Sequence, residues 1–248
     1  MDGLELRISR LFKNKSLLLL AFDHGQYIGV PEGLVAIDPV LGKLQEAPFD
    51  GYILNPGSIR HLQKINTGKS LILRITHAGT HISSTSISNT YFLRPEDALR
   101  LGADAVISMV VLGHDKDMES IGELAKAVND YHRLGIPLIA EVLPANSKDF
   151  SSPKMVADIC RIAAEIGADI IKTVLTPEFE TVVAGCPVPV IVAGGKKEDN
   201  FIFNVGTAMR SGAKGVAVGR NLYQREDSAS FVTEIARRWG DGNTYETR

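Results

Sequence analysis

The 248-residue sequence predicts a (β/α)8 barrel, an α/β fold spanning residues 1–248 as one domain, on three observations. Eight short, almost continuously apolar runs rich in β-branched residues recur along the chain, as expected of parallel strands covered on both faces. Amphipathic helical segments separate most of them. The helix-to-strand joins repeat one formula: LGADAV (101–106), IGADII (166–171) and SGAKGV (211–216). A glycine just past a helix supplies a left-handed cap, and the next strand starts within three residues. Tight alternation of this kind means a parallel sheet, and eight strands in about 250 residues is the size of a barrel. An open doubly wound sheet is the rival, but no GxGxxG follows the first strand.

The predicted strands are SLLLLAFD (16–23), GYILNP (51–56), SLILRI (70–75), DAVISMVV (104–111), PLIAEVL (137–143), DIIKTV (169–174), VPVIVAGG (188–195) and KGVAVGR (214–220). The first four starts, near 17, 51, 70 and 104, are spaced loosely like the last four, as a half-barrel duplication would leave them. Residues 117–134 read as a helix with its apolar face at Ile121, Leu124, Val128 and Tyr131. Residues 153–166 read as another, with Met155, Ile159, Ile162 and Ile166 inward and Pro153 in its first turn.

Composition excludes several classes of function. The net charge is -2 and the pI about 6.3, so no basic surface is offered to nucleic acid or an anionic membrane. No apolar run approaches the ~18–20 residues that span a bilayer, and MDGLELRISRLFKNKS lacks the apolar region and cleavage site of a signal peptide. The two cysteines, Cys160 and Cys186, form no metal-type pair and fit a reducing compartment. The expectation is a soluble cytoplasmic protein.

Catalytic groups of such barrels sit at the C-terminal strand ends. There the sequence places Asp23 and His24 after the first strand, Asn55 after the second, and Arg74, with His77 and His81 beyond it, after the third. Glu141 lies in the fifth strand and Lys172 in the sixth. Gly194, Gly195, Lys196 and Lys197 follow the seventh, and Gly219 and Arg220 the eighth. Lys172 stands out within ADIIKTVLT (168–176), because lysine is almost never fully buried unless paired or functional. One reading is a structural lysine neutralised by Asp23 or Glu141. The other is an amine nucleophile: desolvation disfavours an ammonium, and free amine adds to a carbonyl to form a Schiff base, an electron sink for making or breaking a carbon–carbon bond. VAGGKK (192–197) and AVGRN (217–221) put glycines and cations on the two loops where barrels commonly hold a phosphate.

Other patterns carry less. TGKS (67–70) lacks the first glycine of a P-loop, since Gln63 stands there. HAGTH (77–81) lacks HExxH and has an internal glycine, so His77 and His81 read as polar loop residues and no metal is expected. Cys160 reads as a small core residue within a helix.

AFDHG (21–25), DIIKT (169–173), AGGKK (193–197) and GVAVGRNLYQRED (215–227) resemble the DhnA-type, or archaeal-type, class I fructose-bisphosphate aldolase family, close in fold to the deoxyribose-phosphate aldolases. The match covers most of the chain and looks closest to the branch containing the thiolase that processes phosphorylated autoinducer-2. The resemblance implies that Lys172 forms the Schiff base and that Asp23 contacts substrate hydroxyls and the lysine. It makes His24 a base, and Gly194, Gly195, Gly219 and Arg220 a phosphate cradle, with no cofactor beyond the lysine. It also implies a homo-oligomer, decamers being common. One position departs. Where the family's aldolases carry an aromatic-x-Tyr-Pro pattern on the fifth strand, this chain has EVLP (141–144), and Leu143 cannot transfer a proton. Proton transfer then falls to Glu141, which faces the same way two residues earlier, or to His24. For that role Glu141 needs a raised pKa. Its rival role is an ion pair with Lys172 or Arg74.

The expected activity is that of a Schiff-base lyase or transferase of carbohydrate metabolism, an aldolase or transaldolase acting on a phosphorylated or similarly anionic keto sugar. The alternatives are acyl transfer to coenzyme A by a thiolase of the autoinducer type, a metal-dependent aldolase using His24, His77 and His81, and a phosphosugar-binding barrel without catalysis.

Overall fold

The computed structural model describes residues 2–62, 68–77, 79–82 and 90–240. Gln63 and Thr67 of the P-loop-like stretch, and Ala78 between the two histidines, lie outside the described residues. Among the described residues, eight parallel strands close into a barrel: β1 (Leu17–Ala21), β2 (Gly51–Leu54), β3 (Ser70–Arg74), β4 (Ala105–Leu112), β5 (Leu138–Pro144), β6 (Ile170–Thr173), β7 (Val190–Ala193) and β8 (Gly215–Val218), with β8 pairing back onto β1. Each coincides with one predicted run. The sequence reading missed a short antiparallel pair beyond β3, Thr76–His77 with Thr90–Tyr91.

The joins behave as their formula requires. Gly102, Gly167 and Gly212 have φ of 85°, 115° and 96°, the left-handed region that ends a helix. The aspartate after the glycine has a further task. Asp104 accepts the Leu71 amide of β3 at 2.8 Å and Asp169 the Leu138 amide of β5 at 2.8 Å. Asp50 does the same for Leu18 of β1, also at 2.8 Å. Each carboxylate just before an even-numbered strand thus satisfies a donor at the start of the preceding odd one.

Two apolar layers result. Inside the barrel lie Leu17, Leu19, Ala21, Ile53, Ile72, Ala105, Ile107, Ile139, Ile170, Ile191 and Ala217, with Leu11 from the N-terminal helix Gly3–Leu11 closing the bottom. The outer layer packs strands against helices that include Asp117–His132 and Pro153–Ile166. Leu124, Val128 and Tyr131 are buried as expected. On the second helix the buried face is Val156, Ile159, Cys160 and Ala163, and Ile162 is 40% exposed. Cys160, Ala163 and Ala164 share that face with Val156 and Ile159, and their small side chains let the helix approach the sheet closely. No helix among the described residues is long and apolar enough to cross a membrane.

The barrel is filled to the point where glycines on β2 and β8 have no room for a side chain. A Cβ at Gly215 would fall 2.3 Å from the Leu17 carbonyl oxygen and 2.8 Å from Ile191 Cγ2. Gly215→Ala should lower unfolding free energy by about 1–3 kcal/mol through overpacking. Gly122→Ala, on an exposed helical position with open space around it, should raise it by about 0.5–1 kcal/mol. Urea unfolding midpoints check both, and equal midpoints would contradict the packing described.

Candidate active site

One layer above the apolar ring, the pleat turns Asp23, Arg74 and Glu141 toward the barrel axis at the ends of β1, β3 and β5, with Lys172 from β6 beside them. Glu141 and Lys172 are register partners on adjacent strands, so their side chains start as neighbours. Arg74 Nε and Nη2 donate to Asp23 Oδ2 at 2.8 and 2.5 Å. The same Nη2 donates to Glu141 Oε2, and Lys172 Nζ donates to Glu141 Oε1. The four groups are 1–6% exposed. Their charges alternate in sign and sum to zero, the arrangement that lets ions persist in an apolar interior.

This geometry bears on three of the expectations. Of the two carboxylates named as neighbours of Lys172, Glu141 is its hydrogen-bond partner. Glu141 lacks the raised pKa that an acid role in the resting enzyme needs. Burial pushes its carboxyl up, but the Lys172 and Arg74 cations together outweigh burial and hold it well below the usual carboxylate range. Of its two roles, the ion pair is the one seen in this state. Arg74, expected among the substrate-binding residues or as an ion-pair partner of Glu141, makes the ion pair here: it is enclosed, with Nε and Nη2 committed to the carboxylates and only Nη1 lacking a partner among the described residues.

His24 opens the four-residue helix Gly25–Ile28 after β1. Its Nδ1 lies 3.9 Å from Asp23 Oδ1 and has no hydrogen-bond partner among the described residues. Burial lowers its pKa against the opposing pull of Asp23, with Lys172 adding to the lowering, so the imidazole is a neutral base at neutral pH. The ring is clamped between Tyr27 and Tyr223, at centroid distances of 5.9 and 5.7 Å. Gly219 is the third wall: a Cβ there would lie 2.3 Å from His24 Cε1. The glycine assigned to a phosphate cradle is therefore required first by the imidazole. Asn55 lies below, its side-chain amide donating to the Asp23 carbonyl at 3.0 Å.

The loops after β7 and β8 are tied together by a residue the sequence reading passed over. Asn221, fully buried, donates to the carbonyls of Gly194 and Lys196 at 2.7 Å each and accepts from the Glu198 amide at 2.9 Å. Arg220 Nε donates to Gly195 O at 3.1 Å, and Lys197 Nζ to Gln224 O at 2.9 Å. Lys196 is exposed and enters this network through its backbone. Its place in GRN, between two glycine loops, was the available signal for Asn221. Tyr27 was also missed, because a four-residue helix is too short to show a periodicity that would mark it. His81 is exposed; its amide donates to the Tyr27 carbonyl at 2.8 Å, and its ring lies where a Cβ on Gly29 would fall.

The Gly219 contact gives a direct test. Gly219→Ala should displace the imidazole and cost activity of the same order as His24→Ala. In the His24→Ala background the alanine at 219 should cost little more, since the ring it strikes is gone. Steady-state kcat/KM of the four proteins reads this, and additive losses would show that Gly219 serves something other than His24.

A family model described as DeoC/LacD family aldolase matches residues 17–225. The chain is 36% identical over 240 residues to the 3-hydroxy-5-phosphonooxypentane-2,4-dione thiolase of Enterobacter sp. strain 638, covering 95% of this chain and 80% of that protein. It is 32% identical over 239 residues to the thiolase of the same name from Salmonella typhimurium, covering 94% and 81%. Among solved structures it is similar to an archaeal fructose 1,6-bisphosphate aldolase, with a TM-score of 0.87, 27% identity and coverage of 97% of this chain and 100% of that one. A further archaeal fructose-1,6-bisphosphate aldolase structure, whose catalytic lysine is covalently bound to the carbinolamine intermediate of its substrate, matches with a TM-score of 0.87 at 27% identity over 96% of this chain and 100% of that one. The model match over most of the chain and the relatives above 30% identity agree with the barrel and its buried lysine: the chain belongs to the DeoC/LacD aldolase family.

Proposed function

We propose that the protein is a class I aldolase or transaldolase, with Lys172 forming a Schiff base to a phosphorylated or similarly anionic keto sugar. The observation that carries this reading is an amine at the C-terminal end of β6, buried beside the one carboxylate able to take its proton. In the resting enzyme the Lys172–Glu141 pair is ionic. Entry of a carbonyl beside it lets the ammonium pass a proton to Glu141, and the free amine adds to the carbon. Glu141 returns that proton to the carbinolamine hydroxyl, which leaves as water while the nitrogen lone pair closes to the iminium. Neutral His24 takes the proton of the hydroxyl on the carbon that leaves. The carbon–carbon bond breaks toward the iminium, an aldehyde departs, and an enamine remains. The iminium is the electron sink, so the sequence of steps calls for no metal and no organic cofactor.

Asp23 and Asn55 line the base of the mouth. Gly194, Gly195, Lys196, Gly219 and Arg220, held by Asn221, form the rim proposed to receive the substrate's anionic group. A second reading, acyl transfer to a thiol by way of the same lysine and His24, is favoured by the name shared by the relatives at 32–36% identity. In either case we place the enzyme in the cytoplasm as a homo-oligomer, with a decamer as the size the resemblance implies.

Borohydride reduction in the presence of a phosphorylated keto sugar, followed by peptide mass analysis, tests the role of Lys172. The expected result is one adduct, on Lys172, in the wild type and none in Lys172→Met, with turnover down by a factor of at least ~10^4 as befits loss of the nucleophile. Because removing the ammonium leaves Glu141 with Arg74 as its remaining counter-charge, Lys172→Arg, which keeps the charge, serves as the folded control. A Lys172→Arg protein with near-wild-type turnover would make the lysine structural.

A further inference from the structure

After carbon–carbon cleavage the enamine must be protonated on carbon before the iminium can hydrolyse and release product. Few groups at the mouth can supply that proton. Lys172 is engaged as the enamine nitrogen, Asp23 accepts two hydrogen bonds from Arg74, and Glu141, its proton spent on the water lost from the carbinolamine, is left as an ionised acceptor of Arg74. Leu143, on the same inward face of β5, has no proton to give. His24 and Tyr27 remain, since Tyr223, on the other side of the imidazole, is packed against Phe22 in the outer apolar layer.

Tyr27 is positioned by backbone on both sides. Its amide donates to the His24 carbonyl at 3.2 Å, and its carbonyl accepts from the His81 amide at 2.8 Å. Its half-buried ring lies 5.9 Å from the imidazole centroid, inclined at 43°. The charges that act on its hydroxyl are those of the mouth itself: Asp23, Glu141, Arg74 and Arg220. Burial, reinforced by the two carboxylates, holds the phenol well above its ordinary value, so it keeps its proton at neutral pH. Its neighbour His24 is the opposite case, a neutral imidazole with a buried, unpartnered Nδ1. A donor and an acceptor are thus packed ring against ring at the mouth.

We propose that Tyr27 is the acid that protonates the enamine carbon, with His24 as the base that restores it. This assignment rests on the Schiff-base reading above. The phenolic O–H bond breaks and the enamine π pair forms the new C–H bond, while the nitrogen lone pair closes to the iminium. His24, protonated earlier by the cleaved hydroxyl, returns that proton to the phenolate. Protons balance over one turnover, and no oxidant or reductant enters.

The test uses dihydroxyacetone phosphate and fructose 1,6-bisphosphate as probes with the full-length wild type and Tyr27→Phe, which removes one hydroxyl and keeps the ring packing. Two quantities are read: borohydride adduct on Lys172 by intact mass, and exchange of the hydrogen next to the ketone in deuterium oxide by proton NMR. The assignment predicts adduct formation equal to wild type in Tyr27→Phe, with exchange and turnover slowed about a hundredfold and KM little changed. Exchange within about threefold of wild type overturns it. Parallel loss of adduct and exchange also overturns it, by making Tyr27 a residue that shapes binding. A wild type that forms no adduct removes the Schiff-base reading itself, an outcome read before the variant is compared.

Discussion

Glu141 takes a hydrogen bond from Lys172 on one carboxylate oxygen and another from Arg74 on the second, inside a barrel that leaves it 5% exposed. A lone carboxylate at that depth would take up a proton rather than stay charged. Two cations reverse the balance, and Arg74 extends the pairing to Asp23. Each ion makes its neighbour tolerable, so none has a simple individual contribution. The same carboxylate has a chemical consequence. On the Schiff-base reading it is the acceptor to which the lysine's proton passes when a carbonyl arrives, with Lys172 and Arg74 keeping it ionised until then.

The rest of the mouth is arranged around this chain of charges. Parallel register sets Glu141 beside Lys172, and inward facing on alternate odd strands brings Asp23 and Arg74 into the same layer. The apolar ring beneath, from Leu17 to Ala217, keeps water from the underside. Gly219 leaves room for an imidazole that stays neutral, and Asn221 fixes the two loops that rim the opening. Strain is not needed to explain any of these contacts. The missing side chain of Gly219 and one buried amide suffice.

Much of this was legible before any coordinates. Eight apolar runs separated by glycine joins specify the barrel, because strand period, helix cap and length all point the same way. Lys172 was visible because a lysine in an apolar strand is an anomaly. What remained hidden depended on contacts between residues far apart in sequence. Alternation shows that Glu141 faces inward, but its ionisation depends on Arg74, 67 residues earlier. The same holds for Gly219, which reads as a phosphate-loop glycine until His24 is seen against it, and for Asn221, whose three hydrogen bonds all cross to another loop. Ile162 was placed on the wrong face of its helix because hydrophobicity was weighed above the small side chains that permit close packing.

That the buried charges form one coupled unit, with Glu141 at its centre, is best tested by a double-mutant cycle in urea unfolding at neutral pH, using Glu141→Gln, Lys172→Met and the double variant. Glu141→Gln leaves Lys172 buried without a counter-charge, and its cost should be about 3–5 kcal/mol. The double variant, in which the pair is neutral, should recover part of that loss, with a coupling energy of about 1–3 kcal/mol. Losses that add to within about 0.5 kcal/mol would show that Lys172 and Glu141 do not hold each other in the barrel, and would contradict the account.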